Sequence, residues 1–326
     1  VCSRAHWNNI STATSTHFLV TEDLDFTGYA ATSAGTFSGS LDGGDHTIKG
    51  LQSRVFEYIS GTVRNLRFTD YVVTVTTQYT GGLTKSVSGL LENVSVAGMV
   101  TCNGGACGGV TGSVGSGGVL RRVRFDGTVR AGANGLYFLG GIAGEVATNG
   151  TVEDSMALGL LTNNGFNQLQ KVGGIAGTLD RAGGVIRRCA NFMKVENLAT
   201  TSHYTGGIVG HCHEKSLVED SYNAGAIRGT NAGGVLGRGY NTGCSLVRVL
   251  NWGPVNGAAP QGAIQGSNSV TPVEAHYDNQ TSVATGSGTG HTTAWMQTAA
   301  NFPSATWITS VWSFKDGRYP RLKMEE

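Results

Sequence analysis

Aliphatic residues recur along this chain at three fixed places behind a pair of glycines. Double glycines stand at Gly81, Gly108, Gly140, Gly173, Gly206 and Gly233, so successive starts lie 27, 32, 33, 33 and 27 residues apart. Directly after the pair comes Leu83, Val110, Ile142, Ile175, Ile208 or Val235. A second column holds Leu91, Leu120, Val152, Ile186, Val218 and Leu246, and a third Val100, Val129, Leu161, Val195, Ile227 and Val255. All eighteen are aliphatic, whereas a 39% hydrophobic composition would fill about seven by chance. A fixed period of this length marks a repeat architecture.

The columns sit on runs of three to six residues, too brief for helices, rich in β-branched side chains and interrupted by glycine. The pattern predicts a single-domain, all-β parallel β-helix. A hairpin sandwich requires no in-register repeat, but a coil that returns the chain one strand spacing further on does. One coil cannot bury its inward side chains alone; stacked coils bury a continuous column. Six coils at ~4.8 Å each would stand roughly 29 Å tall.

The repeats are assigned to residues 61–270, with an N-terminal cap and first coil at 1–60 and a C-terminal capping segment at 271–326. In the first segment Phe18, Val20, Leu24 and Phe26 alternate with polar residues, and Val63-Arg64-Asn65-Leu66 resembles the later Leu91-Glu92-Asn93-Val94. Excess length in the longer units is expected in side loops at 163–171 and 198–205. In the last segment Thr292 is placed to cap a short helix, and Trp307, Trp312, Tyr319 and Leu322 to cover the final coil.

The motif Gly-Gly-aliphatic-x-Gly, followed by Val152-Glu153-Asp154-Ser155 or Leu91-Glu92-Asn93-Val94 and then Gly-x-Val, resembles the GLUG repeat. The stretch from Phe37 to Ile48 is similar to that family's opening segment. Tyr277-Asp278-Asn279-Gln280-Thr281-Ser282 and the run from Trp312 to Leu322 are similar to its ending. The resemblance spans about Phe18 to Leu322. It implies a β-helical stalk or adhesive module of large secreted or surface-attached proteins, found also beside the peptidase domain of immunoglobulin-A-specific metalloproteases. It implies no catalytic residue. Lys85 departs from the third glycine of the motif, and Met193 stands where other units have Gly98, Gly127, Gly159, Gly225 or Gly253.

Composition narrows the partners. The 51 glycines follow no Gly-X-Y period, which excludes collagen. Charged residues make up 14% and the net charge is +1, with no basic face, so nucleic acid is not expected. No apolar run approaches the ~20 residues of a membrane span. The chain begins at Val1 without a Met or a signal peptide, so a processed product or excised fragment is expected. Of six cysteines, Cys102 and Cys107 can close a local loop, and Cys212 and Cys244 occupy the corresponding turn of consecutive units. Cys189 shares a column with Val94, Val123, Ser155, Ser221 and Val249 and is read as a buried free thiol; Cys2 is left unassigned. Sequons at Asn9, Asn93, Asn149 and Asn279, with the low charge, favour an extracellular or cell-surface setting.

Four clusters invite chemistry. His211-Cys212-His213-Glu214 begins like a zinc-peptidase motif, but the second histidine it needs is Leu217, so an exposed turn is expected and no metal or cofactor. The pairs Glu153-Asp154 and Glu219-Asp220 share a column with Glu92-Asn93, Arg121-Arg122, Arg187-Arg188 and Val247-Arg248, which reads as a charge ladder rather than the converging carboxylates of a glycosidase. Asp42, Asp45 and His46 are read as a turn rather than a calcium site, because turns select Asp and Gly for backbone reasons. The aromatics Trp295, Trp307, Trp312, Phe314 and Tyr319 are read as cap packing rather than a sugar platform. The sequence therefore points to a non-catalytic adhesive or structural module, serving as spacer or filament element, whose partners are surface proteins, glycans or copies of itself. The competing reading is a carbohydrate-active lyase or hydrolase on the same fold.

Overall fold

The computed structural model describes residues 1–326 other than 133–137, 164–168, 180–182, 199–202, 214, 241–242, 258–260, 268–269 and 283. The middles of both expected side loops, 163–171 and 198–205, lie outside the described residues. The rest is a parallel β-solenoid. Three sheets of 18, 7 and 9 strands, called here sheets 1, 2 and 3, run along the stack, the second starting only part-way up. One turn passes from Val119–Ala131 in sheet 1, through Phe138–Gly140 in sheet 2 and Ala143–Val146 in sheet 3. It then returns to sheet 1 at Thr151–Glu153, directly beside Val119–Arg121.

The eighteen column residues are at most 1% exposed. Along the first column the backbone itself makes a ladder. Ile142 N donates to Ile175 O at 3.0 Å, Ile175 N to Ile208 O at 3.0 Å, and Ile208 N to Val235 O at 2.9 Å. The ladder continues from Val235 N to Ile264 O at 2.8 Å, which reveals a seventh turn. That turn was not legible in the glycine spacing, because it reads Gln261-Gly262-Ala263-Ile264 and lacks the second glycine. Sheet 1 likewise continues through Val273–Asp278, in register with Val247–Asn251.

Buried polar ladders knit the coils further. Asn191, Asn223 and Asn251 are fully buried, and each side-chain amide of the first two donates to the next asparagine along the stack. In sheet 1 the strands bend at Asn65, Asn93, Arg122, Asp154, Arg188, Asp220 and Arg248, all with φ between +46° and +55°. The bend takes a backbone donor out of the regular ladder, and hydroxyls replace what is lost. Val123 N donates to Ser155 Oγ and Cys189 N to Ser221 Oγ, both at 3.0 Å. Cys189 fills the same place in its own coil, fully buried, with its Sγ 3.3 Å from Arg187 O.

The departures at Lys85 and Met193 have local causes. The third glycine of each later unit abuts the sheet-2 strand of the preceding coil: a Cβ on Gly112 would lie 2.1 Å from Thr80 N, and one on Gly177 2.6 Å from Leu139 N. Sheet 2 begins only at Tyr79–Gly81, so among the described residues no sheet-2 strand of a preceding coil lies beside Lys85, whose ammonium pairs with Glu57. At Met193 the strand breaks between Asn191 and Lys194, and the fully buried thioether packs beneath Gly141.

Both ends carry caps of different kinds. A short helix, Arg4–Asn8, N-capped by Ser3, seats Trp7 against Phe26 and Phe68, with ring centroids 6.1 and 6.4 Å away. At the other end Thr292 Oγ1 accepts from Trp295 N at 3.2 Å and caps Thr293–Met296. The segment after it meets the final coil, where Trp307 lies 5.7 Å from His276, and then reaches back along the outer face of sheet 1. There Tyr319 stacks on Trp252 at 4.8 Å, Trp312 Nε1 donates to Asp220 Oδ1, and Arg321 lies over Phe192. These residues form an aromatic core separate from that inside the tube.

Candidate functional site

Period-two alternation in sheet 3 sends Ile59, Val87, Val114, Val146, Leu179 and Cys212 into the core. Their preceding neighbours Tyr58, Ser86, Ser113, Glu145, Thr178 and His211, joined by Arg238 on the next strand, form an outward row in strict register. Beside it sheet 2 presents Tyr79, Ala106, Phe138, Lys171 and Tyr204 in register. Two differently furnished regions result.

Toward the N-terminal end, Tyr58, Tyr79, Ser86, Ser113, Ser116 and Glu145 line an open cavity of about 560 Å³. Toward the C-terminal end the face is filled. Tyr204 stacks on His211 at 5.3 Å, His213 stacks on Tyr240 at 4.8 Å, and Arg238 lies 5.1 Å from the Tyr204 ring. Lys171 sits 4.5 Å above Phe138. His211 is buried, and among the described residues its Nδ1 has no hydrogen-bond partner, nor has Thr178 Oγ1 beside it in the row. Burial, and then the charges of Lys171, His213 and Arg238, push the His211 pKa from 6.5 down to about 3. His211 is therefore a neutral imidazole at physiological pH.

The sequence-derived candidates fall elsewhere or are engaged structurally. Cys212 faces inward and is bonded to Cys244, while Cys102 is bonded to Cys107; Cys2 and Cys189 are free, the first exposed and the second buried. Glu214 lies outside the described residues. Among the described residues no three His, Cys, Asp or Glu side chains gather as a metal would require. Asp42 accepts from Gly44 N, Asn65 Nδ2 and Arg64 Nε, and His46 bonds Asp23 at 3.1 Å. The sequon asparagines Asn9, Asn93, Asn149 and Asn279 are exposed.

The charged pairs on sheet 1 do form a ladder. Glu153 is held by Arg121 at 2.6 Å, Arg187 at 2.7 Å and Arg188 at 2.9 Å; Arg188 also meets Asp154, and Arg248 meets Asp220 and Glu219. Burial pushes the Glu153 carboxyl up, but its hydrogen bonds and charges from Arg121 and Arg187 outweigh that and hold it below the ordinary range. A carboxylate held ionised among three guanidiniums is a poor general acid. On the outward row Ser113, Glu145 and His211 share one column, yet Ser113 and His211 are three strand spacings, about 14 Å, apart. A hydroxyl nucleophile needs its base within hydrogen-bond reach.

No family model and no curated protein matches the chain. Among solved structures, a candidate immunoglobulin A1 protease from Bacteroides ovatus is similar over 100% of this chain and 92% of that one, at 17% identity and a TM-score of 0.45. What the arrangement itself offers is a rigid lateral face whose side chains change from coil to coil while the coils do not.

Proposed function

We propose that this chain is a non-catalytic GLUG-type β-helical module, displayed outside the cell, that holds a partner along its side. The observation carrying this reading is the outward row of sheets 2 and 3, where an open cavity lies on a scaffold locked by buried aliphatic and asparagine ladders. Rigid scaffolds present contact residues at low ordering cost. The two disulfides and four exposed sequons support an oxidising, extracellular setting. The arginine partners of Glu153 and Asp220 support a structural role for the acidic pairs rather than acid–base chemistry.

The test is to incubate the purified chain with a polysaccharide panel, following reducing ends and unsaturated products, and to measure its retention on cell surfaces and its size by chromatography. Saturable surface binding or self-association without turnover is expected. Turnover that disappears when one carboxylate is changed would overturn the reading in favour of the carbohydrate-active alternative.

A further inference from the structure

Tyr58 and Tyr79 have no role in the core. They are 47% and 48% exposed, whereas Tyr71 and Tyr222 are fully buried. Packing on the strand of Tyr58 is done by Phe56 and Ile59, both fully buried. Two half-exposed aromatic rings therefore border one cavity, and its remaining wall joins the Ser86, Ser113 and Ser116 hydroxyls and the Glu145 carboxylate to Ala147 and Thr148. Ser86, Ser113 and Glu145 follow one another at single strand spacings of about 4.8 Å along the stack.

We infer that this cavity is a subsite for a neutral oligosaccharide lying along the coil axis, which deepens the reading of the chain as a lateral binding module and rests on it. A pyranose ring has an apolar C–H face that stacks on tyrosine and an equatorial rim of hydroxyls that both donate and accept. The cavity supplies the complement to each: ring faces from Tyr58 and Tyr79, donors and acceptors from the serines, and an acceptor from Glu145. Its volume falls in the range of about 300–1,000 Å³ usual for small-ligand sites. Other ligand classes fit poorly. A phosphate or sulfate would meet the Glu145 carboxylate. An extended peptide cannot add to the flat of the sheet, because the strand N–H groups are already bonded between coils. A lipid chain would desolvate the row of hydroxyls without pairing them.

Cellohexaose, chitohexaose, mannohexaose and a chondroitin hexasaccharide are suitable probes, titrated calorimetrically into the full chain. Saturable binding of at least one neutral probe is expected, weakened roughly tenfold by either Tyr58→Ala or Tyr79→Ala and retained in Tyr58→Phe and Tyr79→Phe. Both rings are exposed, so the alanine variants should melt with the wild type, which separates lost binding from lost folding. Binding of none of the neutral probes, preference for the chondroitin probe, or binding untouched by the double alanine variant would each overturn the subsite. Cell-surface retention that survives in the double alanine variant would remove the subsite and leave the adhesive module standing. Hydrolysis of a probe would instead remove the module reading.

Discussion

Asn191 and Asn223 lie one coil apart, and the Asn191 side-chain amide donates to Asn223 Oδ1 at 2.7 Å in a setting with no solvent access. Asn223 passes the bond on to Asn251 at 2.8 Å and also engages Gly225 through both its amide and its carbonyl oxygen. The middle member of such a chain is its most costly one to remove, because a donor on one side and an acceptor on the other are stranded. Asn223→Ala should destabilise the fold by about 2–4 kcal/mol, read as a lower urea midpoint at unchanged m-value. A midpoint equal to that of the wild type would show that the ladder contributes nothing net.

The third-glycine column gives a paired prediction. Gly177 faces backbone on every side, with Leu139 N 2.6 Å and Gly144 O 2.7 Å from where a Cβ would stand. Gly177→Ala must push two sheets apart, at a cost of about 1–3 kcal/mol. Lys85 occupies the equivalent place before sheet 2 begins, so Lys85→Ala should cost under about 1 kcal/mol, mostly its ion pair with Glu57. Thermal melts of the two variants check the contrast; equal losses would contradict this account of the column.

The core of this fold was open to reading in sequence because it is chemically uniform: Ile142, Ile175 and Ile208 fill one column, and a period finds them. What escaped is whatever varies. The seventh turn hid behind Ala263 in place of a second glycine. The route of the C-terminal segment hid because Phe192, Tyr222 and Trp252 each look like an isolated exposed aromatic until three coils are stacked. The cavity wall hid most completely. Tyr58, Ser86, Ser113 and Glu145 are not of one residue type, and only their position just before a buried aliphatic on each strand, Ile59, Val87, Val114 and Val146, could have marked them as one row.

Acid should loosen the molecule well before its carboxylates protonate. Burial lowers the pKa of His203, His211, His276 and His291, the second to about 3. As pH falls below about 6.5 the unfolded chain takes up protons that the folded chain resists, so stability is intact above that value and declines toward the folded pKa. At pH 5.5, His211 alone should account for about 1 kcal/mol. Urea midpoints at pH 7.5 and 5.5 measure the decline, and His211→Gln should shrink it. No difference between the two pH values would refute the assignment of a neutral buried imidazole.

The two free thiols should separate cleanly by reactivity. Cys2 is exposed, with its Sγ 3.2 Å from His6 Nδ1, whereas burial pushes the Cys189 thiol up to about 12. Iodoacetamide should therefore label one thiol in the native chain and two in urea without reductant, with mass spectrometry locating the native label at Cys2. Native labelling of Cys189 would mean that its coil opens on the timescale of the reaction.

The two disulfides should contribute unequally. Cys212–Cys244 closes 32 residues, from the end of the sheet-3 strand Val209–Cys212 to the residue before the sheet-1 strand Ser245–Asn251 one turn on. Cys102–Cys107 closes only 5. Restricting the unfolded chain over the longer loop is worth about 3–4 kcal/mol, against about 2 kcal/mol for the shorter one. Alanine suits both replacements, since Cys212 lies in the inward column with Val146 and Leu179 and a serine there would bury an unpaired hydroxyl. The Cys212→Ala/Cys244→Ala chain should accordingly lose more stability than Cys102→Ala/Cys107→Ala in matched urea titrations, and reduction of the wild type should lose about as much as the two combined. The reverse order would mean that strain in the folded coil, rather than loop length, decides what each bond contributes.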